Sequence, residues 1–201
     1  TGCLPRGNEP VQMLPNLLSL GRILCGPLVL VLIAQASTPA LMATIAVMLL
    51  AEVSDLLDGH LARRLNVSSP VGKIIDPMAD SLYRALVFLA FMDAGWMPVW
   101  MVAVIVSRDI LVSYLRIFSE QNGVTMGARQ SGKIKAVFQG VVQIGTVVLV
   151  IAAGGVLGGV YETLVYSLLL VATLVTAWSG VDYTMGFLRS VGVRDLVANR
   201  G

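Results

Sequence analysis

The chain has 201 residues, of which 56% are hydrophobic and 13% charged, with a mean hydropathy of +0.82. That balance excludes an ordinary soluble core and a disordered chain, and points to an integral membrane protein. A formal net charge of +2 says little until the charges are located, no nucleic-acid partner is expected, and Cys3 and Cys25 lack metal or disulfide spacing.

Six apolar segments follow in order. Residues 11–36 form the first and 40–64 the second, whose first half is uninterrupted apolar and whose second half carries Asp55 and Asp58. Residues 71–92 form the third, with Asp76 and Asp80, and 99–120 the fourth, with Arg108, Asp109 and Arg116. Residues 131–153 and 160–188 form the fifth and sixth, separated by a Gly-rich turn. Each is about 20 residues or longer, enough to span a bilayer as a helix. The expected fold is all-α, an integral membrane protein with six transmembrane helices. One membrane domain covers 11–190, between polar termini at 1–10 and 191–201.

Charge sets the orientation. The turns after the first, third and fifth segments hold no Lys or Arg. The loops after the second and fourth hold or adjoin Arg63, Arg64, Lys73, Arg116, Arg129, Lys133 and Lys135. The positive-inside rule then puts both termini in the cytoplasm.

Within this apolar chain, four aspartates fall between Glu52 and Ser81. Each acidic side chain at the centre of a bilayer costs about 2.5–3.5 kcal/mol, so a use for them is expected. Asp55 and Asp58 are three apart and Asp76 and Asp80 four apart, so each pair shares a helix face. Gly59 and Ala62 lie on or near the first face, and Gly72 sits one turn before Asp76. Carboxylates gathered this closely repel one another unless cations sit among them. Hard divalent cations with oxygen ligands answer that need, and Mg²⁺ keeps room for substrate phosphates. The pattern points to metal-assisted phosphoryl transfer at the cytoplasmic ends of the second and third segments. Buried ion pairs between helices are the bland alternative. It leaves the spacing unexplained, with Arg63, Lys73 and Arg84 the nearby cations.

The run D-x-x-D-G-x-x-A-R-x8-G-x3-D-x3-D resembles the signature of the CDP-alcohol phosphotransferase family. Asp55, Asp58, Gly59, Ala62, Arg63, Gly72, Asp76 and Asp80 match every fixed position. The resemblance implies transfer of a phosphatidyl group from CDP-diacylglycerol to an alcohol, with release of CMP. It implies two Mg²⁺ or Mn²⁺ ions held by Asp55, Asp58, Asp76 and Asp80, with Asp80 also taking the acceptor's proton. It implies contacts to the CDP-lipid from Gly59, Ala62, Arg63 and Gly72. Ser69 is added from a similar position in the related phosphatidylinositol-phosphate synthases. A homodimer in the membrane, its active site facing the cytoplasm, is the family's usual form.

Three further stretches resemble the phosphatidylglycerophosphate synthases of that family. The opening Leu14-Pro15-Asn16-Leu17-Leu18-Ser19-Leu20-Gly21-Arg22 is similar to a stretch shared with the cardiolipin synthases, in which Asn16 and Ser19 would lie beside the CDP group. The same two residues also read as a helix cap. Arg108 and Arg116, eight apart, and Gly132-Lys133-Ile134-Lys135 resemble the stretches that bind the acceptor, although Ala136 stands where a threonine is usual. With Arg129, these residues make an anion pocket for an acceptor carrying its own phosphate, and sn-glycerol 3-phosphate is the expected acceptor. The alternative for these charges is cytoplasmic topology alone. Arg108 lies deep in its segment, and adjacent residues diverge on a helix, so pairing with Asp109 is not expected. Ser81 replaces a usual lysine, and Arg84, one turn after Asp80, is the expected source of positive charge. His60 lies beside the aspartate stripe and reads as an interface residue.

Cardiolipin synthase or another head-group transferase is the alternative within the family. A cation transporter is the alternative from another class, since intramembrane carboxylates also mark ion pathways. A transporter calls for inverted repeats and broken helices in matching positions, and the sequence has neither.

Overall fold

The structure, a computed structural model, describes residues 9–65, 72–121 and 129–191, with side chains over 20–55, 77–121 and 129–189. Six α-helices account for nearly all of these: α1 Glu9–Ala34, α2 Thr38–Leu65, α3 Gly72–Asp93, α4 Val99–Gln121, α5 Gln130–Ala152 and α6 Gly159–Val191. They stand where the six segments were expected. Among the residues whose side chains are described, three helices contain a stretch long and apolar enough to cross a membrane, namely Thr38–Asp55, Gln130–Ala152 and Gly159–Arg189.

Proline and glycine set the helix ends. Pro10 and Pro39 are the second residues of α1 and α2. A proline there loses nothing, because first-turn N–H groups have no intrahelical partner. At the end of α5, Gly154 and Gly155 take φ of +78° and +89°, and the Gly155 N–H donates to the Val150 carbonyl at 2.9 Å. This left-handed turn closes off carbonyls the helix would otherwise leave open. After α1 the same task falls to Ala36 at φ +49°, a conformation that a Cβ disfavours.

The helices group into two compact units, divided after Phe91. In the first, α1 packs on α2. Val29, Ile33, Leu41, Met48, Val87, Phe88 and Phe91 form its buried core, and Gly26 lets Leu86 of α3 come close to α1. In the second, α6 packs on both α4 and α5. The buried stripe of α6 is Val165, Leu169, Ala172, Thr176, Ser179 and Tyr183. Alternating steps of four and three keep those residues on one face.

The stripe changes character along its length. Its first half is apolar, whereas its last half faces Ser131, Lys135 and Gln139 of α5 and Asp109 of α4. The outer faces are apolar instead: Ile110, Leu111, Val137, Val141, Val171, Trp178 and Val181 are all exposed. Apolar groups outside and polar groups inside are what a lipid solvent demands. Hydroxyls on these helices bond back to carbonyls one turn earlier, as Thr44 does to Ala40 and Thr173 to Leu169, so they need no water.

Candidate functional site

Charged side chains gather at one end of each unit. In the first unit, Arg84 is 3% exposed on α3. Its Nε donates to Asp80 Oδ1 at 2.8 Å, and its two terminal nitrogens reach the two carboxylate oxygens of Glu52 at 3.2 and 3.4 Å. Glu52 is three residues before Asp55 on α2, so both face the same way. Asp55 in turn meets Arg22 of α1 at 2.7 Å, with Arg22 buried and the aspartate half exposed. Two buried guanidinium groups therefore tie α1, α2 and α3 together around the aspartates. Arg84 supplies the positive charge expected beside Asp80.

Arg22 and Glu52 are residues that sequence reasoning named without giving them a role. The signal was there: an arginine and a glutamate set among apolar segments both need partners. The Tyr83 hydroxyl is buried without a hydrogen-bond partner among the described residues.

Asp58, Gly59, Ala62 and Arg63 lie on α2, and Gly72 and Asp76 on α3, with side chains outside those described. Asn16 and Ser19 lie well inside α1, which begins at Glu9, so neither is a helix cap. Ser69 lies outside the described residues. Hard carboxylate oxygens are the donor set a divalent cation prefers. Asp55 and Asp80 each hold one guanidinium, and no three ligating side chains stand together among the described residues, which leave out the side chains of Asp58 and Asp76.

The second unit gathers the cations expected to bind the acceptor. Lys135 is 4% exposed, and its Nζ donates to both oxygens of Asp109 at 2.8 and 2.9 Å. Arg108 also donates to Asp109 Oδ1, at 2.9 Å, and to the Ser179 hydroxyl at 2.6 Å. The expectation that Arg108 and Asp109 do not pair is thereby corrected. Their Cβ atoms diverge, but a long guanidinium stem folds back across the gap, and a carboxylate already held by Lys135 is fixed in place for it.

Arg129 pairs with Asp182 through both the side chain and the carbonyl, and the Ser131 hydroxyl holds the second oxygen of Asp182 at 2.6 Å. Lys133 is exposed. Arg116 differs: its Nη2 donates to the Tyr183 hydroxyl at 2.8 Å, and it meets no carboxylate among the described residues. Three of these five cations, Arg108, Arg129 and Lys135, pair with Asp109 and Asp182 among the described residues. Ser179, Asp182 and Tyr183 of α6 are the residues sequence reasoning missed as site components. Their trace in the sequence is the polar turn of an otherwise apolar stripe.

A helical chain with apolar outer faces, carboxylates held by two arginines in one unit and cations paired with two aspartates in the other, has the make-up of a membrane protein that keeps charged groups inside it. It belongs to the CDP-alcohol phosphatidyltransferase family, whose model matches residues 12–179. The chain is 32% identical over 134 residues to a CDP-diacylglycerol–glycerol-3-phosphate 3-phosphatidyltransferase of Bacillus subtilis, covering 61% of this chain and 69% of that protein. A Pseudomonas fluorescens protein of the same name is 32% identical over 174 residues, 85% of this chain and 87% of that one. A probable phosphatidylglycerophosphate synthase of Mycobacterium tuberculosis is 29% identical over 189 residues, 92% of this chain and 87% of that one.

Proposed function

We propose that this chain transfers the phosphatidyl group of CDP-diacylglycerol to sn-glycerol 3-phosphate, releasing CMP and leaving phosphatidylglycerophosphate in the membrane. Family membership and the names of the relatives above support the donor and the acceptor. The observation that carries the acceptor is Arg116, a guanidinium whose described partner is a neutral phenol. Its charge remains available for an anion, and a phosphate takes a guanidinium through two hydrogen bonds. Arg108, Arg129, Lys133 and Lys135 raise the potential around it.

Asp55, Asp58, Asp76 and Asp80 would hold two Mg²⁺ or Mn²⁺ ions, which supply positive charge against the pyrophosphate and the departing CMP. Arg84 fixes the Asp80 carboxylate through Oδ1. Asp80 removes the proton from the acceptor hydroxyl, whose oxygen forms the new bond to the phosphatidyl phosphorus. The bond from that phosphorus to the bridging oxygen breaks, and CMP departs with the electron pair. Asn16, Ser19, Gly59, Ala62, Arg63, Ser69 and Gly72 are the proposed contacts to the CDP-lipid. The six helices are proposed to span the membrane with both termini and the site on the cytoplasmic side, and the working unit is proposed to be a homodimer.

The test is an acceptor panel. Purified protein receives CDP-diacylglycerol with glycerol 3-phosphate, glycerol or phosphatidylglycerol, and CMP release is followed. Fastest release with glycerol 3-phosphate is expected. Preference for phosphatidylglycerol would make the enzyme a cardiolipin synthase and overturn the acceptor, while leaving the family in place.

A further inference from the structure

We infer that Tyr183 is the positioning residue of the acceptor pocket, the group that sets Arg116 and Arg108 in place for a phosphate. The inference rests on the acceptor proposed above. Tyr183 is fully buried on α6. Its hydroxyl oxygen accepts from Arg116 Nη2 at 2.8 Å and from the backbone N–H of Arg129 at 3.0 Å. Its ring lies under two guanidinium groups, with the Cζ of Arg108 5.4 Å and that of Arg116 5.2 Å from the centroid. A ring face attracts cations without neutralising them. One side chain thus links α4, the start of α5 and α6, and keeps two like charges close together.

The backbone is cut to fit the same group. A Cβ on Gly132 would stand 2.8 Å from the Tyr183 hydroxyl, one on Gly180 2.9 Å from Arg108 Cγ, and one on Gly186 2.5 Å from Arg129. Those distances are too short for real contacts, so three glycines on two helices leave room for this cluster. Tyr183 also lies past residue 179, where the family match ends.

The division of partners gives Tyr183 its purpose. Arg108 and Lys135 share Asp109, and Arg129 has Asp182. Arg116 has Tyr183, and its Nε is buried without a partner among the described residues. A carboxylate in place of the phenol would hold Arg116 equally well but cancel the charge a phosphate needs. A phenol fixes the position and leaves the charge.

The experiment compares Tyr183→Phe, Gly132→Ala and Arg116→Ala in purified enzyme, varying glycerol 3-phosphate and CDP-diacylglycerol separately. Tyr183→Phe keeps the ring and removes the hydroxyl. Gly132→Ala presses on the hydroxyl from α5 without touching a charge. Both are expected to raise the KM for glycerol 3-phosphate, Tyr183→Phe by about tenfold, the scale of one hydrogen bond to a charged group. The KM for CDP-diacylglycerol and the rate at saturating acceptor should stay near the parent values. In Arg116→Ala, adding Tyr183→Phe should cost less than the product of the two single effects, since the hydroxyl acts partly through Arg116. If Arg116→Ala raises the acceptor KM while Tyr183→Phe and Gly132→Ala leave it unchanged, the positioning role is overturned. It is also overturned if the Tyr183→Phe and Gly132→Ala variants lose activity toward both substrates equally along with thermal stability, because Tyr183 is then a packing residue. A parental acceptor KM in Arg116→Ala would overturn the phosphate pocket itself, and the inference with it.

Discussion

Arg84 concentrates the energetics of the first unit in one side chain. Its guanidinium is 4% exposed and faces two carboxylates that are themselves only 27% and 28% exposed. Removing one partner of such a cluster leaves charge buried without compensation, which costs about 3–5 kcal/mol. Arg84→Met is expected to lower stability by about that amount in detergent unfolding, with Arg84→Lys in between because an ammonium cannot reproduce the fork. A melting temperature unchanged in Arg84→Met would show that the three charges are not coupled. Asp80→Asn is expected to keep CDP-lipid binding and lose about 10²–10⁴-fold in turnover, the contribution of a positioned base. Asp58→Asn should instead weaken metal and nucleotide binding, and parental turnover in Asp80→Asn would move the proton transfer to another group. At this scale the sequence exposed the aspartates because their spacing is fixed by a helix face. It hid the partners of the cations. Arg108 reached Asp109 because side-chain length defeats the rule that neighbours diverge, and Tyr183 is separated from Arg116 by 67 positions in the chain.

At the scale of helices, hydropathy alone located all six, since an apolar run cannot stop without a turn signal. The ends were less legible. Pro10 reads as a loop residue, yet α1 begins just before it, where a missing N–H does no harm. The turn after α1 carries a testable cost. Ala36 sits at φ +49°, a conformation its Cβ disfavours by roughly 1–2 kcal/mol. Ala36→Gly removes that strain while loosening the unfolded chain, and a net gain of about 0.5–1 kcal/mol is expected in detergent unfolding. A loss of stability would mean that the methyl group makes a contact worth more than the strain. The count of spans was harder to read than the count of helices. α4 carries Arg108, Asp109 and Arg116, and these charges pull it below the apolarity of α5 and α6.

For the whole molecule, family membership and the exposed apolar side chains suit a reaction between a membrane lipid and a water-soluble partner. The most direct test supplies purified protein, in vesicles with CDP-diacylglycerol, with glycerol 3-phosphate labelled in its glycerol carbon. Label is expected to enter the lipid phase as phosphatidylglycerophosphate, matched one-to-one by CMP. Both are expected to stop with excess EDTA and resume with Mg²⁺ or Mn²⁺. CMP released while the label stays in water, or transfer at full rate in EDTA, would contradict metal-assisted phosphatidyl transfer to glycerol 3-phosphate.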